Sequence, residues 1–400
     1  MAIQRIYLDH AATTPVRTEV RDAMLPFLSE ESFGNPSSGH SFGRSARAGL
    51  EAARKRVADA LGVSMRELLF TSGGTEADNQ AILGCAYAHS GGTDLKGEHL
   101  VSSPTEHKAI LASLHEAERL GAHTTLLTVD RHGVVELEML DRLLAGTMPG
   151  GKPTVVSVMW VNNETGVVQP VAAIAARCAA AGVPFHTDAV QAFGKIPVRL
   201  SDMPGITCCS ISAHKIGGPK GIGAIVVRDR KGVHPLLHGG GQQGGLRPGT
   251  ENVPGAVALG VAAQLAAEEQ PATYTRVRAI RDAAQAALVA EQPDLVVHSA
   301  GAERGPNILS MSVPGTDSEA MLMHLDLAGL ACASGSACQT GAVEPSHVLS
   351  AMGVPHDLAI GAVRMSFGSL SSPEQVPHIA RTFGQVVGKV RELRAALARA

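Results

Sequence analysis

The chain has 400 residues, 44% of them hydrophobic and 18% charged. At that length roughly three-quarters of the unfolded surface becomes buried, which excludes a small scaffold held by disulfides or metal. Lys and Arg (34) nearly balance Asp and Glu (37), leaving a net charge of −3, and without a long single-sign run no nucleic-acid or anionic-membrane surface is indicated. The first residues lack the apolar core of a secretion signal, and no run reaches the ~18 apolar residues of a membrane span. Six cysteines without a C-x-x-C pair are too sparse for a disulfide framework. A cytoplasmic protein is expected.

Phe42, Ala46, Leu50, Ala53, Val57 and Leu61 fall at helical spacing, so a helix is predicted over 38–61, capped by Ser38 and ended by Gly62. Strand-like runs then alternate with helical ones: 68–71 and a helix from Thr75, 99–102 and a helix from Glu106, 124–129 and a helix over 137–144. The alternation continues with 154–160, a helix over 171–181, and 183–187. Repeated βα units predict an α/β fold, a mainly parallel sheet covered by helices on both faces, with ligands at the carboxyl ends of its strands. Runs 205–212 and 223–228 follow without a helix between them, so the sheet should be mixed. A Gly-rich loop over 238–249 precedes a long Ala-rich helix from near Gly255 towards Val289. Beyond it, 295–298, 307–313, a helix over 318–327 and 362–367 form a second αβ set. The boundary falls inside the long helix near 260, giving a large domain over 16–258 and a smaller one built from 1–15 and 259–400.

Thr71-Ser-Gly-Gly-Thr-Glu76 lies where a strand gives way to a helix. Gly73 and Gly74 free the backbone and Thr75 adds a hydroxyl, so the N–H groups and positive helix end suit a phosphate. An ordinary cap, with Thr75 and Asp78 as a capping pair, is the competing reading. No G-x-x-x-x-G-K-[ST] occurs, and the literal G-x-G-x-x-G at Gly239, Gly241 and Gly244 follows no long strand and runs into Pro248, so no dinucleotide site is expected. Asp188 ends one strand and Lys215 follows another, which should place both at the ligand edge of the sheet. An acid and an amine near a phosphate cradle suggest pyridoxal phosphate. The lysine would bond its aldehyde and the aspartate would keep its ring nitrogen protonated. A structural Asp–Lys pair is the alternative.

The segments Y-L-D-H-A-A-T-T-P (7–15), F-G-N-P-S-S (33–38), T-S-G-G-T-E-A-D-N (71–79), T-E-H-K-A (105–109), V-N-N-E-T-G-V-V-Q-P (161–170), H-T-D-A-V-Q (186–191), S-A-H-K-I-G-G-P-K-G-I-G (212–223), R-P-G-T-E-N (247–252) and S-G-S-A-C (334–338) resemble those of NifS/IscS-type cysteine desulfurases. That group belongs to the class V aminotransferase branch of fold-type-I pyridoxal-phosphate enzymes. The resemblance runs in order from residue 7 to about 368. It implies Lys215 as the cofactor-bonding lysine, Asp188 as the partner of the pyridine nitrogen, Gln191 as a donor to the ring hydroxyl, and His107 as the ring-stacking residue and a proton shuttle. Gly74, Thr75, Ser212 and His214 resemble phosphate-binding positions, and Thr250 resembles one that reaches the phosphate of a neighbouring subunit, implying a homodimer. Asn163 resembles the side chain near ring hydroxyl and substrate. Arg364 resembles the arginine that clamps the substrate carboxylate, a task for a planar bidentate donor; alone it reads as a surface ion pair.

Cys338 decides among family members. Its small, Gly-rich surroundings, Ala333-Ser-Gly-Ser-Ala-Cys-Gln-Thr-Gly-Ala342, predict a mobile loop. Cys85, Cys178, Cys208 and Cys209 read as core, and Cys332 as structural. The resemblance makes Cys338 the nucleophile that takes sulfur from L-cysteine as a persulfide, releasing L-alanine. No intrinsic metal is implied, although Cys338 could ligate a transferred iron–sulfur cluster. Acceptors would be an iron–sulfur scaffold or a tRNA-thiolation relay protein. Gln339-Thr340-Gly341 and Pro248 depart from the common pattern, which bears on acceptor preference and on the subunit-crossing loop. A class V aminotransferase, a kynureninase-like lyase, a selenocysteine lyase and an inactive partner-binding scaffold are the rival expectations.

Overall fold

The computed structural model describes residues 5–335 other than 93, the pair 338–339, and 342–397; for 338, 339, 342, 343 and 397 only the backbone is described. The chain opens with β1 (Ile6–Tyr7), α1 (Thr18–Met24) and α2 (Ser41–Leu61). α2 buries the predicted stripe of Ala46, Leu50, Ala53, Val57 and Leu61 and ends at Gly62, whose φ of 70° few side chains tolerate. Its cap is His40, not Ser38: His40 Nδ1 accepts from Gly43 N at 3.2 Å, because Ser38 is already spent in a turn, its N–H on Asn35 O.

The expected alternation follows as β2 (Leu68–Thr71), α3 (Gly74–Ser90), β3 (His99–Ser102), α4 (Lys108–Arg119), β4 (His123–Leu126) and α5 (Leu137–Leu144). After these come β5 (Val155–Ser157), α6 (Val171–Ala181), β6 (Phe185–Asp188), β7 (Cys208–Ser212) and β8 (Gly223–Val227). They build one sheet of order β2-β8-β7-β6-β5-β3-β4, parallel except where β8 pairs antiparallel with β7 and β2. The mixed, helix-covered sheet is the expected one. An apolar core lies on each of its faces, yet the inner strands β6 (Phe-His-Thr-Asp) and β7 (Cys-Cys-Ser-Ile-Ser) bury several polar residues. β5 is shorter than the predicted run 154–160 because Met159 N leaves the ladder for the Glu106 carboxylate, at 2.8 Å.

α7 (Val253–Glu291) carries Val257 and Leu259 in the first core and Ile280, Ala284 and Leu288 in a second. That second core is completed by β9 (Val296–Val297), β10 (Ile308–Ser312), α8 (Ser318–Leu327) and β11 (Leu330–Ala331). Next come the hairpin of β12 (Cys338–Gln339) and β13 (Ala342–Val343), α9 (His347–Ala351), α10 (His356–Ala359), β14 (Ala362–Ser366) and α11 (Val376–Leu397). β14, β10 and β9 form an antiparallel sheet, and β1 pairs parallel with β11, so Ile6 and Leu8 also pack in the second core. α11 went unread in the sequence, although Val376, Ile379, Phe383, Val387 and Val390 form its buried stripe.

Candidate active site

A cavity of about 310 Å³ opens at the carboxyl ends of β6 and β7. Asp188 and Gln191 reach it from the end of β6, Ser212, His214 and Lys215 from the end of β7, and Gly74 and Thr75 from the start of α3. His107, Asn163 and Arg364 line its remaining wall. Ten of the twelve predicted site residues therefore meet at one place. Thr250 is exposed and does not line this cavity. Cys338 enters β12, opposite Val343, and its side chain lies outside the described residues.

Lys215 stands in the tight turn after β7, and its Nζ donates to Ala11 O at 2.6 Å and Ala12 O at 2.7 Å. The structural Asp–Lys pair is thus not formed. Burial, and then the charge of Arg364, brings the Lys215 amine down to about 8. At pH 7 roughly a tenth of such amines are unprotonated and nucleophilic, against less than about 0.1% for an ordinary lysine. Asp188, buried, accepts from Val190 N at 2.8 Å. Burial pushes its carboxyl up, while that N–H and the charges of His107, Lys215 and Lys195 pull it back.

The predicted Thr75–Asp78 cap is absent. Gly73 is the N-cap of α3 and supplies no side chain, while Asp78 turns inward and is 1% exposed. Glu76 instead ties the loops together, accepting from Ser72 N at 2.7 Å and pairing with Arg247 at 2.8 Å. The first N–H groups of the helix are left to the cavity, and a Cβ on Gly74 would come within 2.9 Å of Val190 Cγ2. His214, with its Nδ1 3.2 Å from Thr13 Oγ1, is lowered to about 4 by burial and by Lys215, so the ring is neutral.

α4 starts at Lys108, two residues later than predicted, because Glu106 points into the interior and His107 becomes the cap. His107 Nδ1 accepts from Ala109 N at 3.1 Å, so the neutral ring carries its proton on Nε2. Burial lowers its pKa. Gln191 donates from Nε2 to Ala11 O at 2.7 Å and accepts from Lys195 Nζ at 3.2 Å, leaving one amide N–H uncommitted.

Arg364 is not a surface ion pair: it is 8% exposed, donating from Nη1 to Asn163 O and from Nη2 to Asp9 Oδ1, each at 2.8 Å. Its Nε has no partner. Asn163 sits in a turn held by Asn162 Oδ1, which accepts from Glu164 N and Thr165 N at 2.9 and 2.8 Å. The neighbouring Glu164 accepts from Ser346 Oγ and lies so close to Gly335 that no Cβ fits there. One carboxyl thereby bonds Ser346 and packs against Gly335, on either side of Cys338 in the chain.

The cavity offers helix-end N–H groups and hydroxyls for a phosphate, an amine of lowered pKa for an aldehyde, and a carboxylate for a pyridine nitrogen. This donor set fits pyridoxal phosphate. Sequence reasoning missed Asp9, Glu106, Lys195 and the inward turn of Asp78. The last was signalled by Asp78 sharing the buried stripe of Ala81, Ile82 and Cys85. Cys85, Cys178, Cys208 and Cys209 are buried as expected, and burial pushes the Cys178 thiol up to about 12. Cys332 is half-buried beside the second core, and burial raises its thiol too.

Residues 6–379 match the family model of class-V aminotransferases. A cysteine desulfurase IscS of Dictyoglomus turgidum is 41% identical over 391 residues, 98% of this chain and 96% of that one. A solved NifS-like protein superposes with a TM-score of 0.87 at 33% identity, covering 96% and 100% of the two chains. A structure of SspA in complex with cysteine does so at 0.77 and 32%, covering 90% and 98%. Fold, cavity and sequence agree with the resemblance read from the motifs: the chain belongs to the class-V aminotransferase family.

Proposed function

We propose that this protein is a cysteine desulfurase that uses pyridoxal 5′-phosphate to convert L-cysteine into L-alanine and stores the sulfur on Cys338 as a persulfide. The reading is carried by Lys215, an amine of lowered pKa held in a cavity with Asp188 opposite a helix N-terminus, in a chain whose relatives bear that name. Gly74, Thr75, Ser212 and His214 would hold the phosphate, with Thr250 supplied by the second subunit of a homodimer. Asp188 would keep the ring nitrogen protonated, Gln191 would give its remaining N–H to the ring hydroxyl, and His107 would cover the ring face. Bound there, the cofactor supplies an electron-withdrawing ring that weakens bonds at the substrate α- and β-carbons.

The chain's own residues do the rest. Arg364 binds the substrate carboxylate, using its unpaired Nε and the Nη2 now shared with Asp9. Asn163 lies beside it. The Lys215 amine takes the proton from Cα, and His107 Nε2–H serves the β-position. Cys338 thiolate attacks the substrate sulfur: an S–S bond forms, the C–S bond breaks, and Cβ regains a proton. L-cysteine and one thiol thus become L-alanine and one persulfide, with no outside oxidant.

We place the cofactor-binding residues in a large domain over 16–258, with 1–15 and 259–400 as a smaller domain bearing Arg364 and Cys338. Among the described residues no helix is long and apolar enough to cross a membrane. We assign the protein to the cytoplasm, with an iron–sulfur scaffold or sulfur-relay protein as acceptor. The test is to incubate the loaded protein with L-cysteine, with and without reductant, and to measure alanine, sulfide and the mass of the Cys338 peptide. Equal alanine and persulfide are expected. Amino transfer to a keto acid without alanine from cysteine, or full turnover by Cys338→Ser, overturns the reading.

A further inference from the structure

Behind Asp188 the interior holds two more carboxyls that the reaction above does not use. Asp78, from α3, is 1% exposed, and Glu106, before α4, is 0% exposed. Glu106 Oε1 accepts from Met159 N at 2.8 Å, but its Oε2 has no partner, nor has Asp78 Oδ1. Among the described residues no lysine or arginine pairs with either. The basic group beside Asp78 is His186, whose Nε2 lies 3.7 Å from Asp78 Oδ1. That ring is fully buried and bridges two hydroxyls, Ser157 Oγ through Nδ1 and Ser210 Oγ through Nε2, each at 2.9 Å. Burial without a charged partner lowers this ring to about 3, so it is a neutral imidazole and supplies no counter-charge. The groups facing Asp78 are therefore Asp188 and His186 from β6, Ser210 from β7, and Glu106. Those facing Asp188 include the cationic or titratable His107, Lys215 and Lys195.

A carboxylate taken out of water without a cation is far costlier than a carboxylic acid. Three negative charges side by side would add repulsion to that cost, and the lysines that can relieve it face Asp188 alone. We propose that Asp78 and Glu106 are positioning residues kept as neutral, proton-bearing acids, so that of the three carboxyls Asp188 alone is the anion that would serve the ring nitrogen. Burial raises both carboxyls well above the usual range, and the charge of Asp188 raises them further. The two acids supply shape and hydrogen bonding without competing for the ring's proton. Their consequence at Asp188 rests on the cofactor reading; their protonation does not.

Infrared difference spectra between the unmodified full chain and each variant at pH 7 to 8, recorded both with and without pyridoxal phosphate, test this directly. Carbonyl-stretch bands of protonated carboxyls are expected in the unmodified protein, one disappearing in Asp78→Asn and another in Glu106→Gln. In the loaded protein both variants, which keep a neutral polar group, should leave the pH midpoint of the visible cofactor band within ~0.5 unit. Removing a neighbouring charge would move it by about 1 unit or more. Asp78→Ala should weaken cofactor binding, and Asp78→Asn should restore it. Absence of the protonated-carboxyl bands in the unmodified protein, or a shift of about 1 unit in either neutral variant, overturns the proposal. Should the cofactor fail to bind at all, the functional reading falls while the infrared result still decides the protonation.

Discussion

The seven-stranded sheet and the three-stranded sheet are both buried, yet they handle polar residues differently. Beneath the cavity, β5, β6 and β7 turn Ser157, His186, Asp188 and Ser210 into the interior, where hydroxyls and a neutral ring satisfy one another. The smaller sheet delivers a single cation to the cavity, Arg364 on β14, already paired with Asp9. Buried polar groups are thus concentrated on the parallel strands, while Arg364 and the segment bearing Cys338 come from the part of the chain after α7. On the proposed function, a cofactor held beside the large sheet and a substrate gripped by Arg364 could each be altered separately.

That separation can be broken by experiment. The largest effects should come from the two reactive side chains: Lys215→Ala and Cys338→Ser each lower alanine formation by on the order of 10³-fold or more. Only Lys215→Ala should abolish the borohydride-trapped cofactor adduct on its peptide, whereas Cys338→Ser leaves that adduct intact.

Acid stability should report the buried network of the large sheet. His186 sits fully buried with its pKa lowered to about 3, against about 6.5 when unfolded. The unfolded chain therefore takes up this proton first, and stability falls as pH drops from about 6.5 towards 3, by up to about 5 kcal/mol. Urea midpoints measured across that window should flatten in His186→Gln; an unchanged slope would show that the ring is not a neutral bridge.

Arg364→Lys tests the opposite region. Losing the planar fork should cost about 1.5–3 kcal/mol, or roughly 10- to 100-fold in kcat/KM, expressed mainly in KM and without change in the cofactor's absorption. Smaller still is Gly335→Ala. The added methyl must displace Glu164, and about 1–2 kcal/mol of overpacking should slow persulfide formation about tenfold while cofactor affinity stays constant.

Much of this was legible beforehand. Strands carrying Asp188 and Lys215 ended in the order that a parallel sheet requires, and α5, α6 and α8 fall where their spacing put them. Ends fixed by tertiary contacts were harder to read. α4 begins late because Glu106 is drawn to Met159 N, and α2 because Ser38 belongs to a turn. Asp78 looked like a cap because acids in a first turn usually are caps, although its place on the stripe of Ala81, Ile82 and Cys85 pointed inward, where α3 packs on β6 and β7. Asp9 is a single charge in an N-terminal stretch, and its partner lies 355 residues away.

Glu164 leaves a last consequence. Because one side chain bonds Ser346 and leaves no room for a Cβ at Gly335, a single substitution at Glu164 would be felt on both flanks of Cys338 at once.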